Sequence, residues 1–204
     1  MALDTYSDLK STISSYLART DLDSVIPDLI RLGEMRLRRD LRIRQMLVMA
    51  QANTVGGNGK LGLPSDFMEM RAIYLDTNPV QPLTYRTPNN FFNDILVTTS
   101  GRPKFYTVLA TDFQFAPMPD TDYSVQMLYY ARPPFLSDAK PTNVFLANTP
   151  DALLYASLGE AEPYLMNDAR LQTWAALYDR AVASITESDE GSEYGGAPMQ
   201  MTVA

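Results

Sequence analysis

The chain contains neither cysteine nor histidine in 204 residues. Without thiols there is no disulfide framework, no cysteine nucleophile and no zinc site of the Cys/His type. Without imidazole the commonest general base is missing too. Any catalysis therefore falls to carboxylates, hydroxyls and lysine, and neither a cofactor nor a metal is expected. No run approaches the roughly 18 apolar residues of a membrane span. The opening MALDTYSDLK lacks the basic-then-apolar order of a secretory signal. These absences predict a protein made and used in a reducing, soluble compartment.

What is present is globular: 46% hydrophobic and 20% charged residues, with 12 tyrosines and 11 methionines. A chain of this length buries roughly 70% of its unfolded surface and needs no staples to hold a core. The net charge of −7 is unevenly placed. Residues 1–44 carry eight basic and seven acidic side chains, 45–150 carry seven and eight, and 151–204 carry two and nine. An acidic last quarter argues against a protein that grips nucleic acid along its surface.

The hydrophobic period predicts an α+β fold. Tyr6, Leu9, Ile13, Tyr16 and Leu17 recur at helical spacing over Asp4–Ala18, with Asp4 or Thr5 as cap. A second helix is expected from Ser24, as cap, to Ile43, with Pro27 in its first turn. From Gln45 the period falls to two. MLVMAQANTV and GKLGLP flank GGNG as a hairpin, and MEMRAIYLD, KFYTVLATD, FQFAPMP and DYSVQMLYYAR follow between turn residues. Both faces of the last are partly apolar, which predicts a central strand. PNNFFNDIL reads as a short helix. Five to seven strands should form a small sandwich or open barrel. Helical spacing returns at Thr149, a cap followed by Pro150 and Asp151. Pro163 should bend or end that helix, and a last one runs to about Ile185. The organisation expected is therefore helices in 1–44, an inserted, mostly antiparallel β domain in 45–148, helices in 149–187 and an extended tail in 188–204. The tail starts acidic and ends in MQMTV, where Met199, Met201 and Val203 alternate. It cannot fold alone, and it suits addition to another sheet's edge.

Two apparent motifs dissolve on inspection. A phosphate loop in VGGNGKLGLP would need glycine at Thr54 and a hydroxyl residue at Leu61. PDTDY holds Asp120 and Asp122 without the other ligands of a calcium loop, so it reads as a turn. The remaining feature is IRLGEMRLRRDLRIRQM, with six arginines from Arg31 to Arg44. At about 100° per residue, Arg31, Arg38 and Arg42 form one stripe. Ile26, Ile30, Gly33, Leu37 and Leu41 line a second face, and Val25, Leu29, Leu32 and Ile43 a third. Glu34, one turn before Arg38, can partly neutralise it. Two buried faces exclude a helix lying on a membrane. A solvated face, a subunit contact using the acidic last quarter, and nucleic-acid binding by Arg31–Arg44 all remain open.

Several phrases in order carry a resemblance: IPDLIRLGEMRLRRDLR, LGLPSDFMEMRAIYL, GRPKFYTV, FQFAPMPDTDYSVQMLYYARPPFLS, PDALLYASLGEAEPYLMND and WAALYDRAVASI. Over about residues 5–187 the chain resembles the head-to-tail adaptors of tailed bacteriophages, especially the tail tubular protein A-like adaptors of short-tailed phages. The resemblance implies an antiparallel helix bundle with an inserted β domain and no catalysis. It implies a dodecameric ring in the virion neck, assembled in the bacterial host cytoplasm, between the portal protein and the nozzle or tail-tube protein. DNA would pass through its lumen without specific binding. Beyond what the resemblance implies, charge and composition suggest that in such a ring Arg31, Arg38 and Arg42 would face Glu160, Glu162 and Asp179 of the next copy, while Tyr194, Met199, Met201 and Val203 of the tail, which the resemblance does not cover, would dock on the portal.

Overall fold

The computed structural model describes residues 3–19, 21–93, 99–165 and 169–194. The chain is mixed α+β, with seven α-helices and eight strands among these residues. It divides into two compact units: Met1–Met46 with Pro133–Ala204, and Leu47–Arg132.

In the first unit, α1 spans Tyr6–Leu17 and is opened by Thr5. The Thr5 hydroxyl accepts from the Asp8 N–H (3.2 Å), and the Asp8 carboxylate accepts from the Thr5 N–H (3.1 Å). This reciprocal box satisfies two donors that a helix start leaves open. The second helix, α2, spans Ile26–Asp40. Ser24 does not cap it. The Leu22 carbonyl accepts from both Val25 and Ile26, so backbone alone closes the first turn. The helix also stops before Ile43, because Leu41 is extended (φ −111°, ψ 139°) and Arg42 donates to the Arg38 and Leu41 carbonyls. Arg44–Met46 form a single 3-10 turn.

After residue 143 come α4 (Val144–Asn148), α5 (Pro150–Gly159), α6 (Glu162–Leu165) and α7 (Arg170–Tyr194), with α3 (Pro88–Phe92) lying in the other unit. Pro150 and Asp151 open α5 as expected, but the Thr149 hydroxyl donates back to the Phe145 carbonyl (3.0 Å) rather than capping. Ala152, Leu153, Leu154, Ala156, Ser157 and Leu158 are all buried, so α5 is enclosed nearly all round and packs on α1, α2, α4 and α7. Its approach to α2 is close: a Cβ on Gly33 would lie 2.7 Å from Ser157 Oγ. Helix α7 runs nine residues past Ile185, through the Ser188–Tyr194 stretch read from sequence as a non-helical tail. The Asp189 carboxylate accepts the Arg44 N–H (3.0 Å), which ties that extra length back to the unit.

In the second unit the strands are β1 (Leu47–Asn53), β2 (Lys60–Gly62), β3 (Phe67–Leu75), β4 (Gln81–Pro82), β5 (Thr84–Tyr85), β6 (Phe105–Leu109), β7 (Asp112–Ala116) and β8 (Ser124–Ala131). They form two four-stranded sheets, β1-β8-β3-β4 and β2-β7-β6-β5. All pairs are antiparallel except β5 with β6. The β8 strand is central, with Val125, Met127, Tyr129 and Ala131 buried on one face. The two sheets share one core, in which Ile73, Leu75, Val125 and Met127 meet Tyr106, Phe113 and Phe115. Phe67 sits edge-on to Phe113 at 5.5 Å between centroids. GGNG is not a strand-to-strand hairpin: β1 and β2 belong to different sheets. Gly57 is left-handed (φ 79°) and donates to Pro119 O, while Gly56 donates to the Asp122 carboxylate. The turn therefore carries the chain from one sheet to the other. The count of eight exceeds the expected five to seven because β4 and β5 are two-residue strands too short to show a period.

Candidate assembly surface

The arginine-bearing helix is the natural starting point. Ile26, Leu29, Ile30, Gly33 and Leu37 bury its inner side. Arg31 and Arg38, two turns apart, stay on one stripe, but Arg42 lies beyond the helix end and serves as its carbonyl cap. Both stripe guanidinium groups close on one ring: Arg31 lies 4.4 Å and Arg38 3.5 Å from the Phe135 centroid. Arg38 also donates to the Pro133 carbonyl. Arg38 and Arg42 are half-buried and Arg31 is exposed.

Glu34 feels the charges of Arg38 and Arg31, as a partial neutraliser should, but its hydrogen bonds go elsewhere. It is the one charged side chain among the described residues that is fully buried, at 1% exposure. One of its oxygens accepts from the Leu136 N–H (3.0 Å) and from Asn143 Nδ2 (2.6 Å). Burial raises its pKa above the ordinary glutamate value, against the opposing pull of those two hydrogen bonds. Tyr6 donates its N–H to Pro141 O (2.8 Å), and Lys10 pairs with Asp138 (2.9 Å). Residues 133–143, which have no helix or strand, are thus fastened along α1 and α2 by polar bonds at both ends. Sequence reading missed this clamp because its partners are about a hundred residues apart. The only local signal was a carboxylate on the apolar side of α2.

The other candidates are scattered. Glu160 follows α5 and is half-buried; Glu162 on α6 and Asp179 on α7 are exposed. Exposed apolar side chains accompany the arginines: Leu32 (44%) and Met35 (41%), one turn apart on α2. The α7 helix is held to α2 by Tyr178, whose hydroxyl donates to Asp40 (2.5 Å) beneath the Arg36 guanidinium, 4.1 Å from the ring. Burial and the Asp40 carboxylate push the Tyr178 hydroxyl well above the usual tyrosine range. Tyr194 closes α7, while Met199, Met201 and Val203 lie outside the described residues. No group of three acidic residues suited to a metal occurs among the described residues, and no described helix is long and apolar enough to cross a membrane.

An open polar cleft of about 330 Å³ lies in the helical unit, lined by Arg44, Gln45, Asn148, Asp151, Ser184 and Asp189, among others. No pair of buried acids converges there. Asp120 and Asp122 close turns, accepting from the Tyr123 hydroxyl and the Gly56 N–H. The polar side chains described thus hold the chain's own segments together, and the exposed ones form a mixed basic, acidic and apolar surface. The chain belongs to the SU10 adaptor protein family, whose model matches residues 4–202, in keeping with a head-to-tail adaptor of a tailed phage. The match extends past Ser188, where the sequence resemblance stops, and takes in residues 188–202. No curated protein matches the chain.

Proposed function

We infer that this protein is a structural adaptor of the virion neck, forming an oligomeric ring between portal and tail or nozzle that continues the DNA channel. Helices α1, α2 and α4 to α7 make the antiparallel bundle that builds the ring, and Leu47–Arg132 is the inserted β domain turned toward the distal tail proteins. Family membership over residues 4–202 carries this reading.

Physical arguments agree with it. A ring repeats one heterologous contact, so each copy needs two different, complementary faces. Exposed Arg31 with Leu32 and Met35 supplies a basic and apolar face; Glu160, Glu162 and Asp179 supply acid. Each exposed charge pair adds only about 0–1 kcal/mol. Apolar burial therefore closes the ring, and charge sets its register. An acidic excess also suits a lumen through which DNA slides without sticking.

Binding of nucleic acid by Arg31–Arg44 is the weaker reading. Arg38 and Arg42 already serve Pro133, Phe135 and the end of α2. Electron microscopy of the purified protein with its portal tests the proposal. Closed rings seated on the portal are expected; a monomer that ignores the portal but shifts duplex DNA in a steeply salt-dependent manner overturns it.

A further inference from the structure

The sheet edges are guarded unequally. The β4 edge is two residues long and one is Pro82; β5 is also two residues, and β2 has three, including Lys60. Shortness, proline and lysine are the devices that keep edges from pairing. The β1 strand has none of them. Its seven residues, LVMAQAN, contain no charge and no proline. They run in unbroken register against β8, from Leu47↔Tyr130 to Asn53↔Ser124, and no described strand pairs with the other side. Val48 is 39% and Met49 71% exposed, so apolar side chains flank the open edge. In an antiparallel strand alternate residues turn their N–H and C=O outward, ready for a further strand.

The chain carries a segment that fits this edge. Residues 195–204, GGAPMQMTVA, follow α7 and hold no charge. Met199, Met201 and Val203 alternate with Gln200 and Thr202 at the strand period. In the sequence Gly195, Gly196 and Pro198 precede them. Five residues in a strand span about 17 Å, within the length of β1. Two β1 edges paired with each other would bury far less than the roughly 1,200 Å² of a stable interface. A tail anchored to its own subunit instead adds its pairing to the other contacts of a ring.

We propose that residues 199–203 of one copy add as a strand to the free edge of β1 in a second copy. The inference rests on the ring reading above. Donor and acceptor are different elements, so the contact is heterologous and repeats around a ring. It moves the tail's acceptor from the portal to the neighbouring adaptor subunit.

The cysteine-free chain allows a direct test. Met49→Cys and Met201→Cys are made as separate variants, mixed and oxidised, both free and after assembly with the portal. A disulfide forms only when the two Cα atoms come within about 7 Å. The mixture should give a linked pair that is absent when Val80→Cys, at an exposed site, replaces Met49→Cys. No linked pair in either setting overturns the proposal, as does a double variant that links only within one chain. A chain ending at Tyr194 should keep its fold and its portal affinity while its self-association weakens by about tenfold. Lost portal binding with intact self-association overturns the proposal and returns the tail to the portal. If the full-length chain forms no oligomer in either setting, the ring reading fails and takes the strand donation with it.

Discussion

Glu34 is an acid placed where solvent cannot reach it, and its worth depends on the two donors it satisfies. Glu34→Ala leaves the Leu136 N–H without its acceptor and the Asn143 amide with the Pro134 carbonyl alone, and should cost about 1–3 kcal/mol, read from urea unfolding midpoints. Glu34→Gln keeps one acceptor oxygen and should cost less. The raised pKa gives a sign as well. The folded state holds the Glu34 proton more tightly than the unfolded chain does. Its contribution is therefore full below the ordinary glutamate value and is lost as pH rises toward the elevated folded value. Stability of the wild type should fall across that window relative to Glu34→Gln; parallel curves would show a carboxyl that is not desolvated. The arginines sharing Phe135 are a second residue-scale case. Arg38→Ala and Phe135→Leu should be coupled in a double-mutant cycle by about 0.5–2 kcal/mol. Charge reversal at Arg38 would disturb the fold and the surface together, so Arg31 is the cleaner probe of assembly.

At the scale of elements, the crossing of α2 on α5 rests on a missing side chain. A Cβ at Gly33 would meet Ser157 Oγ at 2.7 Å and the Ser157 backbone nitrogen at 2.9 Å. Gly33→Ala should destabilise by about 1–3 kcal/mol through overpacking, whatever it gains in helix propensity. Adding Ser157→Gly removes the hydroxyl but not the nitrogen, so rescue should be partial in thermal melts. Tyr178 ties α7 to α2 through Asp40 and Arg36. Tyr178→Phe keeps the buried ring and loses the bond to Asp40, at a cost of about 1.5–3 kcal/mol for a bond to a charged group. Hydrogen exchange should then rise in α7 before it rises in α5, which is enclosed by four helices.

For the whole molecule, the distribution of charge sets the terms of assembly. Seventeen basic side chains against twenty-four acidic ones, with the deficit in residues 151–204, give copies that repel one another at large, and in the proposed ring Arg31 would offset this where it meets acid. Arg31→Glu should weaken self-association, most at low ionic strength, and by more than Arg31→Gln, which loses the same contact with Phe135 without reversing the charge. Light scattering over a salt series reads both effects. An association indifferent to that reversal takes Arg31 out of the interface.

How much of this was legible in the sequence follows from the range of each interaction. The six longer strands, the helix before Leu17 and the proline-led start of α5 could be read directly, since periodicity, capping and turn chemistry act within a few residues. The order of phrases pointed to the adaptor family, which the match over residues 4–202 establishes. Tertiary structure alone decided where α2 ends, which sheet each side of GGNG joins, how far α7 extends and what Glu34, Arg38 and Arg42 do. Apart from the end of α2, where Arg42 donates to the nearby Arg38 and Leu41 carbonyls, each of those rests on partners brought together from distant parts of the chain: Arg44 with Asp189, Gly57 with Pro119, Glu34 with Asn143. Local pattern fixes which face of an element is greasy, but a buried carboxylate or a capping guanidinium acquires its role only when folding supplies the group it must satisfy.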